Sequence, residues 1–429
     1  MIINEPWLAS AYKYVYSPYS LYSSLINQSK QLLLLHLLYH PMATSETTPV
    51  KGAYWSPVLQ PENEPNIAPR NISSTYFTHL FYASLVPDPR MNYKLNPSQT
   101  EKEWMRTFTD ILHGRPRQKA LLSIGARNEN PNIRDSVCNI FSNMANVSET
   151  RNSFIKSSID VARMYNFDGL DLDWEFPGRE DMGNLSSLFQ EWHDAIVADH
   201  NNSQKPQLLL SAAVYYANSV DGRAYPIDAI NRNVDFVTLR CYDYHGSWNT
   251  SVTGEHSCLC DSRNPQLNTE YGITSWLTAT LLPQKLVVGL PLFGKTWNLI
   301  NPDEHGVGDS ADGVGPGVNG VMRYYEILDY NSRNNGMPGN DLPTRSIYSY
   351  AGKTWIGYDN EKTIKEKVHF TREKGLRGYF LWALGYDNGD ILARTGIFFF
   401  TQYILMLRNF NDSFIFHIPY HKVGKLQIY

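Results

Sequence analysis

Within the segment Phe167-Asp168-Gly169-Leu170-Asp171-Leu172-Asp173-Trp174-Glu175-Phe176-Pro177, three carboxylates occupy alternate positions. Asp171, Asp173 and Glu175 are spaced by Leu172 and Trp174, so an extended strand turns all three acids to one face. Like charges that close repel, and Asp is depleted from strands. Such a row is tolerable where the acidic face lines a solvated cavity and the acids share protons. The alternative is an exposed strand with one polar face. A pair of carboxyl groups is the usual equipment for breaking a glycosidic bond, one as acid and one as base or nucleophile. Neighbours on one strand cannot easily protonate from one side and attack from the other. The nucleophile must then come from elsewhere, and a substrate with a 2-acetamido group carries its own carbonyl oxygen. In that chemistry Glu175, last in the row, protonates the leaving oxygen. Asp173 holds the acetamide N–H and stabilises the cyclic oxazolinium charge. Asp171, deeper, shares a proton with Asp173 in coupled titration.

The elements that must position this row begin near Lys51. Apolar, β-prone runs recur at 51–55, 78–85, 119–124, 167–173, 207–214, 234–242, 285–291 and 377–383. Amphipathic stretches lie between most of them. Ser98-Gln99-Thr100-Glu101 has capping-box spacing and opens a helix carrying Trp104, Phe108, Ile111 and Leu112. Ser148 starts another through Phe154, Ile159 and Val161, and 184–200 and 360–374 supply two more. Near-continuous apolar strands alternating with helices predict a parallel sheet covered by helices. Eight of them favour a closed (β/α)8 barrel over an open doubly wound sheet, and no glycine-rich dinucleotide loop follows the first strand. Residues 296–355 carry Gly/Pro/Asp turns and aromatic runs, which predicts a small α+β insertion on the upper rim between strands 7 and 8. Catalytic groups of such barrels sit at the carboxyl ends of the strands, where the acidic row ends.

A net charge of −4 supplies no basic surface for nucleic acid or anionic lipid. The 28 Tyr and 10 Trp suit stacking on sugar rings or plain core packing. Four cysteines are too few to staple 429 residues. Cys241 falls in a predicted strand and reads as a buried thiol. Cys258 and Cys260 with His256 lack a second ligand pair at zinc spacing, so no metal is expected. Residues 1–48 read as an atypical extension, expected to be unstructured, and 401–429 as a C-terminal one; the barrel takes 49–400. The run Leu32 to Tyr39 has the size of a signal core but lies far from the start, and it is too short to span a bilayer. No clear N-terminal signal is expected. Sequons at Asn71, Asn146, Asn184, Asn201 and Asn249 would permit glycosylation in a secretory route.

Asp168 to Glu175 matches the DxxDxDxE pattern of glycoside hydrolase family 18, and the chain resembles the plant class V chitinases from about Lys51 to about Thr395. Supporting motifs are Ser123-Ile124-Gly125 at the third strand, Cys241 to Gly246 at the sixth and Gly289 to Gly294 at the seventh. Trp355 to Asp359 and the strand ending Tyr379-Phe380-Leu381-Trp382 complete the set. The resemblance implies a monomeric chitinase without cofactor, acting on chitin or N-acetylglucosamine oligosaccharides, outside the cell or in the vacuole. It implies Glu175 as proton donor, supported by Asp173 and Asp171. Tyr242 would hydrogen-bond the attacking acetamide oxygen, and Asp243 would contact the sugar or orient Glu175. Trp382 would floor the sugar at the cleavage point, with Tyr54 and Ser123 lining the same pocket.

Three positions depart from the family pattern. Ala126 replaces a glycine, Ser84 replaces a Phe and would remove an apolar wall, and Arg240 stands where Met is usual. By alternation Arg240 shares a face with Tyr242 and points toward the acids. A guanidinium there favours ionised Asp171 or Asp173. Either it disrupts the shared proton or the acids accommodate it without cost. The rival function is a weak or inactive chitin-oligosaccharide-binding lectin on the same barrel. A third is an endo-acting enzyme that cuts the chitobiose core of N-glycans.

Overall fold

The computed structural model describes residues 48–57, 69, 72–113, 118–125 and 131–401. The expected terminal extensions, the sequon at Asn71 and the Ala126 departure fall outside them, apart from single residues at the boundaries. Eight strands close into a parallel barrel in chain order: Val50–Trp55, His79–Leu85, Lys119–Gly125, Gly169–Asp173, Leu209–Tyr215, Phe236–Arg240, Leu286–Pro291 and Gly378–Trp382. They are called the first to the eighth strand below. The eighth pairs back onto the first, with Val50 opposite Gly378 and Ala53 opposite Leu381. The expected barrel is therefore the observed one.

Alternation along each strand divides inside from outside. In the first, Tyr54 points into the barrel while Trp55 points outward and stacks on Phe108, ring centroids 5.8 Å apart. Phe108 belongs to the helix Gln99–His113, whose Met105, Phe108 and Leu112 are buried. Its start is the expected capping box: the Ser98 N–H donates to Glu101 Oε2 at 2.6 Å and the Glu101 N–H to Ser98 Oγ at 3.3 Å. Further helices at Ser148–Met164, Met182–Ser203 and Glu361–Glu373 cover the barrel as expected. Pro131–Asn146, Ile227–Asn233 and Thr269–Thr278 are further helices, beyond those expected from the sequence. The segment 391–401 is helical and follows the eighth strand.

The insertion between the seventh and eighth strands is wider than expected. Its six-stranded sheet starts at Phe293–Leu299 and ends at Thr354–Tyr358, and the helix Tyr324–Asn334 lies within it. Antiparallel pairing sets those limits, with Phe293 opposite Arg323 and Lys295 opposite Gly357. A separate small core of Trp297, Leu299, Ala311, Tyr348 and Trp355 holds it together. The Leu292 N–H donates to the Trp382 carbonyl at 2.7 Å, which ties the insertion to the carboxyl end of the barrel. The sixth strand is shorter than expected and stops at Arg240. Cys241 lies just beyond it, buried, and all four cysteines are free thiols.

Candidate active site

Strand register brings the polar interior together. Ser123 lies opposite Asp171, and Asp171 opposite Ser211, on three consecutive strands. All three are fully buried. Asp171 Oδ2 accepts from Ser123 Oγ at 2.8 Å and from the Tyr54 hydroxyl at 3.1 Å, while Oδ1 accepts from Ser211 Oγ at 2.7 Å. The Tyr54 oxygen also lies 3.0 Å from Thr238 Oγ1 on the sixth strand. A buried carboxylate is tolerable only when hydrogen-bonded, and hydroxyls on both oxygens meet that need. The third strand can approach this closely because of Gly125: a Cβ there would sit 2.0 Å from the Asp173 carbonyl oxygen and 2.7 Å from its Cβ. Ser84, which stands where the family pattern has Phe, donates its hydroxyl to the Gly125 carbonyl.

Glu175 lies two residues past the end of the fourth strand, in a bend. The intervening Trp174 is anchored on the outside of the barrel. Its Nε1–H donates to Cys138 Sγ at 3.3 Å and its ring stacks on Phe141 with centroids 5.7 Å apart. Cys138 in turn donates to the Phe176 carbonyl at 3.4 Å. Anchoring Trp174 outward leaves Glu175 aimed inward, on the same side as Asp171 and Asp173. There Arg240 meets it. Arg240 Nη2 lies 2.5 Å from Glu175 Oε1 and 3.3 Å from Asp173 Oδ1, with all three side chains almost fully enclosed. Burial pulls the guanidinium down, but Glu175 and Asp173 outweigh it and carry Arg240 well above its ordinary value. Of the two partners expected for it, Asp173 is met and Asp171 is not: Asp171 sits a layer deeper inside its hydroxyl cage, and the long Arg240 side chain reaches the upper two acids.

The remaining expected residues ring the same mouth. Trp382 ends the eighth strand and meets Tyr54 edge-on, centroids 5.7 Å apart. Tyr242 is buried, edge-on to Phe293 at 5.8 Å. Asp243 takes a left-handed backbone, φ 62°, and its Oδ1 lies 3.0 Å from Lys295 Nζ and 4.0 Å from His256 Nδ1. Burial raises that carboxyl, but Lys295, then His256, reverse it and hold it below the usual range. Lys295 also lies 5.6 Å from the ring centroid of Trp248, which is 61% exposed. Ser211, Thr238, Lys295 and Trp248 went unnoticed in the sequence. Ser211 had a signal, a lone hydroxyl in Leu208-Leu209-Leu210-Ser211-Ala212, and Trp248 had another, an aromatic just past the sixth-strand motif.

His256 is buried, and its Nε2–H donates to the Phe293 carbonyl at 3.1 Å. Cys258 and Cys260 donate to the carbonyls of Leu267 and Pro343 at 3.5 and 3.4 Å. Among the described residues, no group of three or more His, Cys, Asp or Glu side chains is placed to hold a metal ion, and no helix is long and apolar enough to cross a membrane.

The family model for glycosyl hydrolases family 18 matches residues 52–387, from the first strand to just past the eighth. The chain belongs to glycosyl hydrolase family 18. As a family 18 member it is a glycoside hydrolase, and plant class V chitinases are among the proteins it is similar to. It is 40% identical to a class V chitinase of Lotus japonicus over 80% of this chain and 84% of that one. The class V chitinase of Nicotiana tobaccum, solved in complex with NAG4, superposes with a TM-score of 0.76 at 35% identity, over 82% of this chain and 99% of that one. A chitinase-like agglutinin of Robinia pseudoacacia superposes with a TM-score of 0.73 at 34% identity, over 82% and 99%.

Proposed function

We propose that this family 18 hydrolase is a chitinase, cleaving β-1,4-linked N-acetylglucosamine polymers with retention, through an oxazolinium formed by the substrate's own acetamide. The observation that carries this reading is the position of Glu175. It stands two residues past the end of the fourth strand, above Asp173 and the caged Asp171, so that all three acids come from one strand and its extension. Glu175 gives its proton to the leaving oxygen, Asp173 orients the acetamide, and Tyr242 hydrogen-bonds the acetamide oxygen. Asp171 stays fixed by its hydroxyls and supports Asp173 from below. Trp382 forms an apolar floor, backed edge-on by the fully buried Tyr54, which is therefore not itself a sugar contact, and C–H groups of a sugar face pack well on such a ring. The exposed sequons at Asn146, Asn201 and Asn249 support a secretory route.

The test is release of soluble N-acetylglucosamine oligomers from chitin by the wild type and by Glu175→Gln. The expected result is turnover by the wild type and a loss of at least about a hundredfold in the variant, the lower end of general-acid contributions. Equal rates would sink the role of Glu175. One observation favours a second reading, an oligosaccharide-binding protein on the same barrel: the 2.5 Å pair between Arg240 and Glu175, which favours an ionised Glu175. Binding of oligomers without turnover by either protein would establish it.

A further inference from the structure

We propose that Arg240 is a positioning residue that controls when Glu175 carries a proton, confining donation to the acid side of the pH range. This rests on the chitinase reading for the identity of the donor. The two grips of Arg240 are unequal: Nη2 is 2.5 Å from Glu175 and 3.3 Å from Asp173. Of the two, Asp173 is the less tightly gripped by Arg240, and it is the acid that must turn to an acetamide N–H. Glu175 is the more tightly held, as the partner of a cation rather than as a loaded acid. An opposite charge at this separation favours the carboxylate.

The guanidinium is itself held in place. Its Cζ lies 5.7 Å from the Phe176 ring centroid, and that ring meets Tyr215 edge-on at 4.8 Å. On Tyr215 lies a second cation, Arg223, 4.2 Å from the ring centroid and 5.4 Å from that of Phe176. Arg223 also pairs with the exposed Asp221 at 3.5 Å. The other charged or titratable groups around the pocket include Asp171 and Asp173 on the fourth strand, Tyr54 on the first, Tyr215 ending the fifth with Tyr225 behind it, and Tyr242 and Asp243 after the sixth. Lys295 and His256 lie on Asp243. Four acids thus face Arg240 and Lys295, and Arg240 is a cation in direct contact with the donor. In turnover the proton comes from solvent. The Glu175 O–H bond breaks as the new O–H bond forms on the leaving oxygen and the sugar C–O bond parts. The carboxylate left behind returns to Arg240.

The experiment follows Glu175 in two ways, with the N-acetylglucosamine tetramer as substrate. One is the pH profile of kcat/KM, whose basic limb reports the essential acid of the free enzyme. The other is a carboxyl 13C titration of Glu-labelled protein, in which the Glu175 signal is identified by its loss in Glu175→Gln. Arg240→Met should move both the limb and the carboxyl midpoint to higher pH by about 1–3 units. Arg240→Gln removes the charge but keeps a hydrogen-bonding side chain, and it reads the same shift should the Met variant fail to fold. Arg240→Lys, a cation without the planar fork, should move them less. A merely structural Arg240 would lower rates at every pH with both midpoints unmoved, and that result overturns the assignment. A moved midpoint in a protein that never cleaves the tetramer would refute the chitinase reading while upholding Arg240's control of Glu175. Cleavage with an unmoved midpoint would do the reverse.

Discussion

Removing one hydroxyl from around Asp171 should cost more than its size suggests. In Ser211→Ala the donor to Asp171 Oδ1, now at 2.7 Å, is lost in a place where both residues are fully buried. Water has no ready access to replace it. A hydrogen bond to a charged group contributes about 1.5–3 kcal/mol, against about 0.5–1.5 kcal/mol for a neutral pair. Ser211→Ala should therefore destabilise the fold by about 2–3 kcal/mol at neutral pH, well above the trivial loss of one exposed hydroxyl. The cycle with Asp171→Asn isolates the cause, since the amide keeps the shape of the acid without its charge. In that background the same Ser211→Ala change should cost only about 1 kcal/mol, the value of a neutral pair. Urea unfolding followed by tryptophan fluorescence supplies all four stabilities. If Ser211→Ala costs the same in both backgrounds, Asp171 is not held as a hydroxyl-caged anion.

Two further outcomes follow, one from the mouth and one from buried histidines, of which His79 opens the second strand at the opposite end of the barrel. Trp248→Ala should leave kcat nearly unchanged and raise KM for long oligomers roughly two- to tenfold, from about 0.5–1.5 kcal/mol of aromatic contact; an unchanged KM would remove Trp248 from the binding surface. Buried His79 and His256 are pushed down to about 3 and about 4, in each case chiefly by burial. Both are neutral in the fold, whereas an unfolded His takes up a proton below its ordinary value of about 6.5. Their contribution is whole above that pH and is lost as pH falls through the window from about 6.5 to about 4, His79 continuing below it. Stability measured from pH 7 to 4.5 should fall in wild type, and His79→Gln with a shallower slope would confirm the source; parallel slopes would not.

The barrel was legible because each strand is a short apolar run and each helix repeats on its own period, so local pattern and global fold agree. The acidic row was legible for the opposite reason, since three acids in a β-prone run contradict their surroundings. What escaped depends on register between strands. Ser123, Asp171 and Ser211 sit in three separate segments, and a single Ser in a strand is unremarkable until its neighbour is known. The sixth strand was read to 242 because Cys241 and Tyr242 suit a strand, yet pairing ends at Arg240, and Asp243 turns to positive φ. Arg240 was read as facing the acids, which it does. It meets Asp173, one of the two acids expected, and Glu175 rather than Asp171, because of side-chain reach and the prior occupation of Asp171 by hydroxyls, neither of which is written in spacing.

The closure of the sheet on itself has a consequence for the order of assembly. Val50 finds its outer neighbour only in Gly378, so the opening strand of the barrel waits for nearly the whole described chain to be synthesised. Until then the first and seventh strands are open edges, the kind of surface that invites pairing between chains. The insertion adds a pause at the critical moment, since its sheet is antiparallel, local and supplied with its own tryptophan core. Contacts close in sequence form sooner than those that close long loops. Residues 293–358 can thus settle before the eighth strand arrives, and in doing so they draw the two ends of the last gap together.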